Sequence, residues 1–102
     1  MKSFISNIEE PVFATEEQRR NEIWDVEGRL KNGNQKFRFD IRPSEKIGYF
    51  NTKADKIVFE ALDHWIIFDT EELHEYIKSG EKRDFNVDEL LKNLDWNLII
   101  HK

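Results

Sequence analysis

The chain has 102 residues, 38% hydrophobic and 36% charged, with no cysteine and a formal net charge of −5. This excludes a disulfide scaffold and any thiolate metal site. No apolar run approaches the about 20 residues that a membrane-spanning helix needs.

Eight Phe and three Trp supply the apolar bulk for an ordered core. The length suits a single domain over residues 1–102. Met1 to Ile5 carries no sustained apolar segment, which argues against a signal peptide. With the lack of Cys, this gives a cytoplasmic expectation.

In chain order, residues 1–13 read as a short strand or a packed arm around Phe4, Ile5 and Ile8, stopped by Pro11. Thr15-Glu16-Glu17-Gln18 has the capping-box pattern, so a short helix starts there and gives way to β-like sequence at Ile23. A hairpin is expected over residues 23–42. Asn32-Gly33 is a favoured two-residue turn, and centring it there pairs positions whose numbers sum to 65. Gly28 then faces Phe37, Val26 faces Phe39 and Trp24 faces Ile41 on one side of the ribbon. Glu27 faces Arg38 on the other. The turn and the apolar alternation therefore demand the same register. One conflict remains, with Asp25 opposite Asp40.

Pro43-Ser44-Glu45 interrupts the chain. Ile47 to Phe50 reads as a third strand and Lys56 to Ala61 as a fourth, with Ile57 and Phe59 inward. Asp63-His64 makes a tight turn. Trp65-Ile66-Ile67-Phe68 is apolar at every position and reads as a central strand covered on both faces. Asp69 caps a helix with Glu72 at the third helical position, Phe68 and Leu73 as a hydrophobic staple, and Gly80 at its end. Asn86 caps another helix with Glu89 and a Phe85–Leu90 staple, and Val87, Leu90, Leu91 and Leu94 form its apolar stripe. Trp96 to Ile100 is a last strand. The expected class is α+β: an antiparallel sheet of five or six strands, built from hairpins, with two or three short helices on one face.

Catalytic constellations are sparse. There is no Cys, no nucleophile elbow and no Gly-rich phosphate loop. Glu71-x-x-His74 has the local spacing of di-iron carboxylate bundles, but those sites need a second such pair and long helices. His64 and His101 form an acid–base candidate of the metal-free ribonuclease kind, yet His64 falls in a predicted turn and His101 is the penultimate residue. Lys36-Phe37-Arg38-Phe39 interleaves cations and aromatics as single-strand nucleic-acid binders do. In a strand, however, the two Phe share the core face and the cations face solvent. The expectation is a protein that is not an enzyme and that uses no metal, cofactor or nucleic acid.

Charge is unevenly distributed. Residues 1–28 carry three basic and seven acidic side chains, residues 29–56 eight and three, and residues 57–102 five and eleven. No Lys or Arg lies between Lys56 and Lys78. Such a layout either solubilises one face or steers a basic partner toward it. The candidate contact residues are Glu60 and Asp63 at the turn, Glu71, Glu72 and Glu75 on the helix, and Trp65 and Tyr76 as aromatic anchors.

In size, acidity, lack of Cys and α+β pattern, the chain resembles the small bacterial immunity proteins that neutralise toxins. It also looks like phage-encoded inhibitors such as anti-CRISPR proteins. The resemblance implies a one-to-one complex with a basic, nuclease-like partner whose active site is blocked by carboxylates and aromatics. The alternatives are a self-associating scaffold or homodimer, in which the +5 middle segment pairs with the −6 segment of a second copy, and an RNA-binding sheet.

Overall fold

The structure is a computed structural model and describes residues 3–31, 33–43, 52–80 and 86–102. A 3₁₀ turn at Phe4–Asn7 leads into β1 (Ile8–Phe13), α1 (Glu16–Asn21), β2 (Val26–Leu30) and β3 (Lys36–Arg42). After β4 (Lys56–Glu60) and β5 (His64–Asp69) come α2 (Thr70–Gly80), α3 (Val87–Asn93) and β6 (Asn97–His101). The six strands form a single sheet in sequence order, β1-β2-β3-β4-β5-β6. The fold is α+β as expected, and the sheet is mostly antiparallel.

The exception is β3 with β4, which pair in parallel, Phe39 opposite Lys56 and Ile41 opposite Val58. A parallel neighbour cannot be reached by a hairpin, because the chain must first return to the strand's starting end. That takes about a dozen residues, and residues 43–55 supply them. The strand expected at Ile47 to Phe50 lies outside the described residues.

The hairpin register matches the expectation: Val26 opposite Phe39, Glu27 opposite Arg38, Gly28 opposite Phe37. The connection is longer than a two-residue turn. Pairing is recorded only to Arg29 opposite Lys36, and the Gly33 N–H closes onto the Leu30 carbonyl at 2.9 Å. Asn32 lies outside the described residues. Trp24 departs from the expected pairing with Ile41. Ile23 takes φ 56°, a left-handed conformation that is unfavourable for a β-branched side chain. Its N–H closes α1 onto the Gln18 carbonyl at 3.1 Å, and the Thr52 hydroxyl holds its carbonyl at 2.7 Å. This turn sends Trp24 to the side of Arg38, whose guanidinium lies 4.9 Å from the ring centroid.

The Asp25–Asp40 conflict is resolved by separate partners. Asp25 accepts the Ile41 N–H at 2.7 Å, and Asp40 accepts Arg42 at 3.0 Å. Burial pushes the Asp40 carboxyl up, against the pull of Arg42, and the Asp25 charge adds to the rise.

Pro11 does not end β1. The strand continues to Phe13 because it lies at the sheet edge and a bulge between Glu9 and Val12 absorbs the proline. Glu10 there has φ 54°. The bulge presses β1 onto Gly28. A Cβ on Gly28 would run into Ile8 Cγ2 and come within 3.0 Å of the Glu9 carbonyl oxygen.

Two cores flank the sheet. On one face α2 and α3 bring Leu73, Val87, Leu90 and Leu94 onto Ile57, Phe59, Ile66 and Phe68. On the other, Phe4 and Ile8 close over Val26, Phe39, Val58, Trp65 and Ile67, with Phe4 edge-on to Phe39 at 5.4 Å and to Trp65 at 5.9 Å. Alternate residues of β5 feed each core, which explains why its sequence is apolar throughout. Among the described residues, no helix is long and apolar enough to cross a membrane.

Replacing Gly28 by Val is expected to destabilise the fold by about 1–3 kcal/mol through forced displacement of Ile8, a fall in Tm on the order of 10 °C. Differential scanning calorimetry checks this. An unchanged Tm would show that β1 does not rest on Gly28.

Candidate functional site

The local sequence sets the start of α2. The Asp69 carboxylate accepts the Glu72 N–H at 3.1 Å, the helix cap expected of this residue. Its other oxygen accepts Lys56 Nζ at 2.8 Å. Lys56 is only 6% exposed, and its ammonium lies 3.9 Å from the Trp96 ring centroid and 4.6 Å from that of Phe37. Partial burial alone would raise the Asp69 carboxyl. The hydrogen bonds from Lys56 and Glu72, together with the Lys56 charge, outweigh burial and hold it below the usual carboxylate range.

These residues floor an open cleft of about 740 Å³ between α2 and the starts of β3 and β4, with Thr70, Glu71, His74 and Glu75 on the α2 side. Sequence reasoning missed this convergence of Phe37, Lys56, Asp69 and Trp96. The signal available was a lysine opening an otherwise apolar strand, Lys56-Ile57-Val58-Phe59.

The candidate contact residues fall into two groups. Glu71 and Glu75 are exposed on α2, and Glu72 turns its Oε1 to the Trp96 N–H at 3.2 Å. Glu60 and Asp63 lie at the opposite end of β5, roughly 20 Å away for a strand of this length. Glu60 is paired with Lys102 at 2.7 Å, while Asp63 is exposed. Its carboxyl is held low mainly by a hydrogen bond with His64.

Neither proposed anchor is presented to solvent in the way a contact residue requires. Trp65 is 1% exposed because its position in β5 points it at Phe4. Tyr76 packs against the helical core and donates its hydroxyl to Glu89 at 2.9 Å. Trp96, 36% exposed and next to Glu72, is the aromatic that reaches the surface beside α2, while Phe13 is exposed at the far edge on β1.

β6 joins the two acidic groups. Its beginning is tied to Glu72 through the Trp96 N–H, and its end to Asp63 through the Lys102 N–H, 2.9 Å from the Asp63 carbonyl. Along this edge Trp96, Leu98 and Ile99 are all exposed. The two edges of the sheet differ. A bulge, Pro11 and the Glu9 and Glu10 charges blunt β1, features that discourage further strand pairing. Among the described residues β6 has none of these, and its register is unbroken from His64↔His101 to Phe68↔Asn97.

Four of the eight cations of the middle segment are engaged within the fold, while Lys31, Lys36 and Lys53 are exposed. Arg29 pairs with Glu9 and Glu10, Arg38 with Glu22 and Glu27, Arg42 with Asp40, and Lys56 with Asp69. Among the described residues, no ion pair involves the exposed Glu71, Glu75, Asp88 or Asp95. Nor do three or more metal-binding side chains gather at one point, so Glu71 and His74 are not part of such a cluster. The interleaved aromatics of β3 face inward. Phe39 is fully buried, and Phe37 is half-buried against the core beneath Lys56.

No protein-family model, curated protein or solved structure matches this chain.

Asp69→Asn removes the counter-charge of a buried lysine and should cost about 3 kcal/mol near neutral pH. The folded pKa of Asp69 is depressed. Its stabilisation is therefore present above the unfolded carboxylate pKa and is lost as pH falls through the lower folded value. The stability gap between wild type and variant is expected to shrink on acidification, read as urea midpoints across the acid range. A constant gap would mean that the Asp69 charge is not what holds Lys56.

Proposed function

We propose that this chain is a non-enzymatic, cytoplasmic protein-binding module that docks a basic partner along the β6 edge and the adjoining face of α2. A nuclease-like toxin, or another enzyme with a phosphate-binding cleft, is the class of partner its charge suits. Its role would be that of an immunity protein or phage-type inhibitor.

The observation that carries this reading is the unblunted β6 edge with carboxylates at both ends. Leu98 on one face of the strand and Ile99 on the other, with Trp96 before it, give this edge exposed apolar surface, and Glu71, Glu75, Asp95 and Asp63 add negative charge near its two ends. An apolar centre with a polar rim is the usual anatomy of a protein interface. Clefts that hold phosphates are positive, so this rim speeds encounter with them and repels nucleic acid itself.

A second reading, self-association, is favoured by the same edge. Two copies of β6 can pair antiparallel across a two-fold axis. The segmental charge offers it less support, because the middle-segment arginines already have partners within the chain.

Glu71→Lys/Glu75→Lys/Asp95→Lys separates these readings, since all three positions are exposed and the fold should persist by circular dichroism. Wild-type protein is expected to retain a stoichiometric basic protein from lysate of the source cells, released by salt. With that partner purified, the triple variant is expected to bind on the order of 100-fold more weakly. Unchanged affinity would remove the acidic rim from the interface. A salt-resistant dimer by light scattering, dissociated by Ile99→Lys, would establish self-association instead.

A further inference from the structure

The β5–β6 pairing places His64 directly opposite His101, so both imidazoles stand on the same face of the sheet. Their ring centroids are 6.0 Å apart with the planes tilted by 50°. Asp63 Oδ1 lies against His64 Nδ1. We propose that His64 and His101 form a binding site for a borderline transition-metal dication of the Zn²⁺ or Ni²⁺ type. Two imidazole nitrogens and solvent water supply its coordination, and Asp63 is the positioning residue.

Three features support the assignment. Two imidazoles bound to a tetrahedral ion, each with a metal–nitrogen distance of about 2.0–2.1 Å, place their centroids roughly 5 Å apart. Small side-chain rotations reach that from 6.0 Å. A carboxylate that accepts the Nδ1 proton of a histidine fixes the tautomer and leaves Nε2 as the donor to the metal. Asp63 is placed for that role, with its Oδ1 against His64 Nδ1.

The site is also anchored and open. The Lys102 N–H bonds the Asp63 carbonyl at 2.9 Å, which ties the turn to the end of β6. The Lys102 ammonium is drawn to Glu60 and toward the Trp65 ring, on the other face of the sheet. His101 is exposed, and the His64 side chain is 27% exposed, so an ion and its waters have access. Neither the proposed docking role nor the Lys56 cleft uses these two histidines.

The test is calorimetric titration of the tag-free full chain with Zn²⁺ and with Ni²⁺, alongside the histidine ring resonances by NMR. One ion per chain is expected, with the His64 and His101 signals perturbed. His101→Asn, at an exposed position that should leave the fold intact, is expected to abolish binding. Asp63→Asn is expected to weaken it about tenfold without lowering the Tm. No heat and no ring shift at millimolar metal would overturn the proposal. So would a His101→Asn protein that titrates like wild type.

Discussion

The Lys56–Asp69 pair ties together more of this fold than any other polar contact described. Burying an ammonium is costly unless it is paired and its donors are satisfied. Lys56 meets that requirement with a carboxylate from β5 and the faces of two rings, one from β3 and one just before β6. The parallel β3–β4 register places Phe39 opposite Lys56, and the antiparallel β4–β5 register places Asp69 opposite it. A one-residue slip in either pairing would turn the ammonium toward the helical core, where no carboxylate waits. Because Asp69 also caps α2, the same contact fixes where the helical layer begins.

The remaining charges follow a similar logic. Arg29, Arg38 and Arg42 lie on sheet positions where carboxylates from β1, β2, β3 and the end of α1 come within 3.0–3.7 Å. Partly exposed pairs of this kind add little stability. They also offset part of the positive charge of the middle segment, although Lys31, Lys36 and Lys53 remain exposed. The carboxylates left facing solvent are concentrated on α2, α3 and the residues before β6. That asymmetry supports a basic partner more than a head-to-tail assembly of copies.

Much of the fold could be read from neighbouring residues. The Thr15, Asp69 and Asn86 caps each depend on a side chain and a backbone N–H three residues on, so local pattern is sufficient. The β2–β3 register was readable because apolar alternation on both strands allows a single pairing. The parallel β3–β4 contact was not readable, because it depends on where residues 43–55 return the chain. Trp65, expected as a contact anchor, is buried, and Trp96, read only as the start of the last strand, reaches the surface, for a related reason. The sequence marks both as aromatic, but only the sheet order puts one under Phe4 and the other at an edge. The pairing of His64 with His101 likewise exists only once β6 lies beside β5.

β6 shows how an exposed strand can be held without its central side chains. Asn97, Leu98 and Ile99 are exposed, and only Ile100 packs partly against a core. Apolar burial along the middle of the strand is therefore small. Its ends are fixed instead: by Trp96 against Lys56 and Glu72 at one, and by Lys102 against Glu60 and the Asp63 carbonyl at the other. Between these anchors the backbone stays in ladder register with β5. Leu98 and Ile99 face water without carrying the strand's attachment. A core position would penalise polar substitution there, whereas this edge would tolerate it for folding. The exposed side chains of Leu98 and Ile99 are therefore the apolar surface that the proposed docking along this edge would cover.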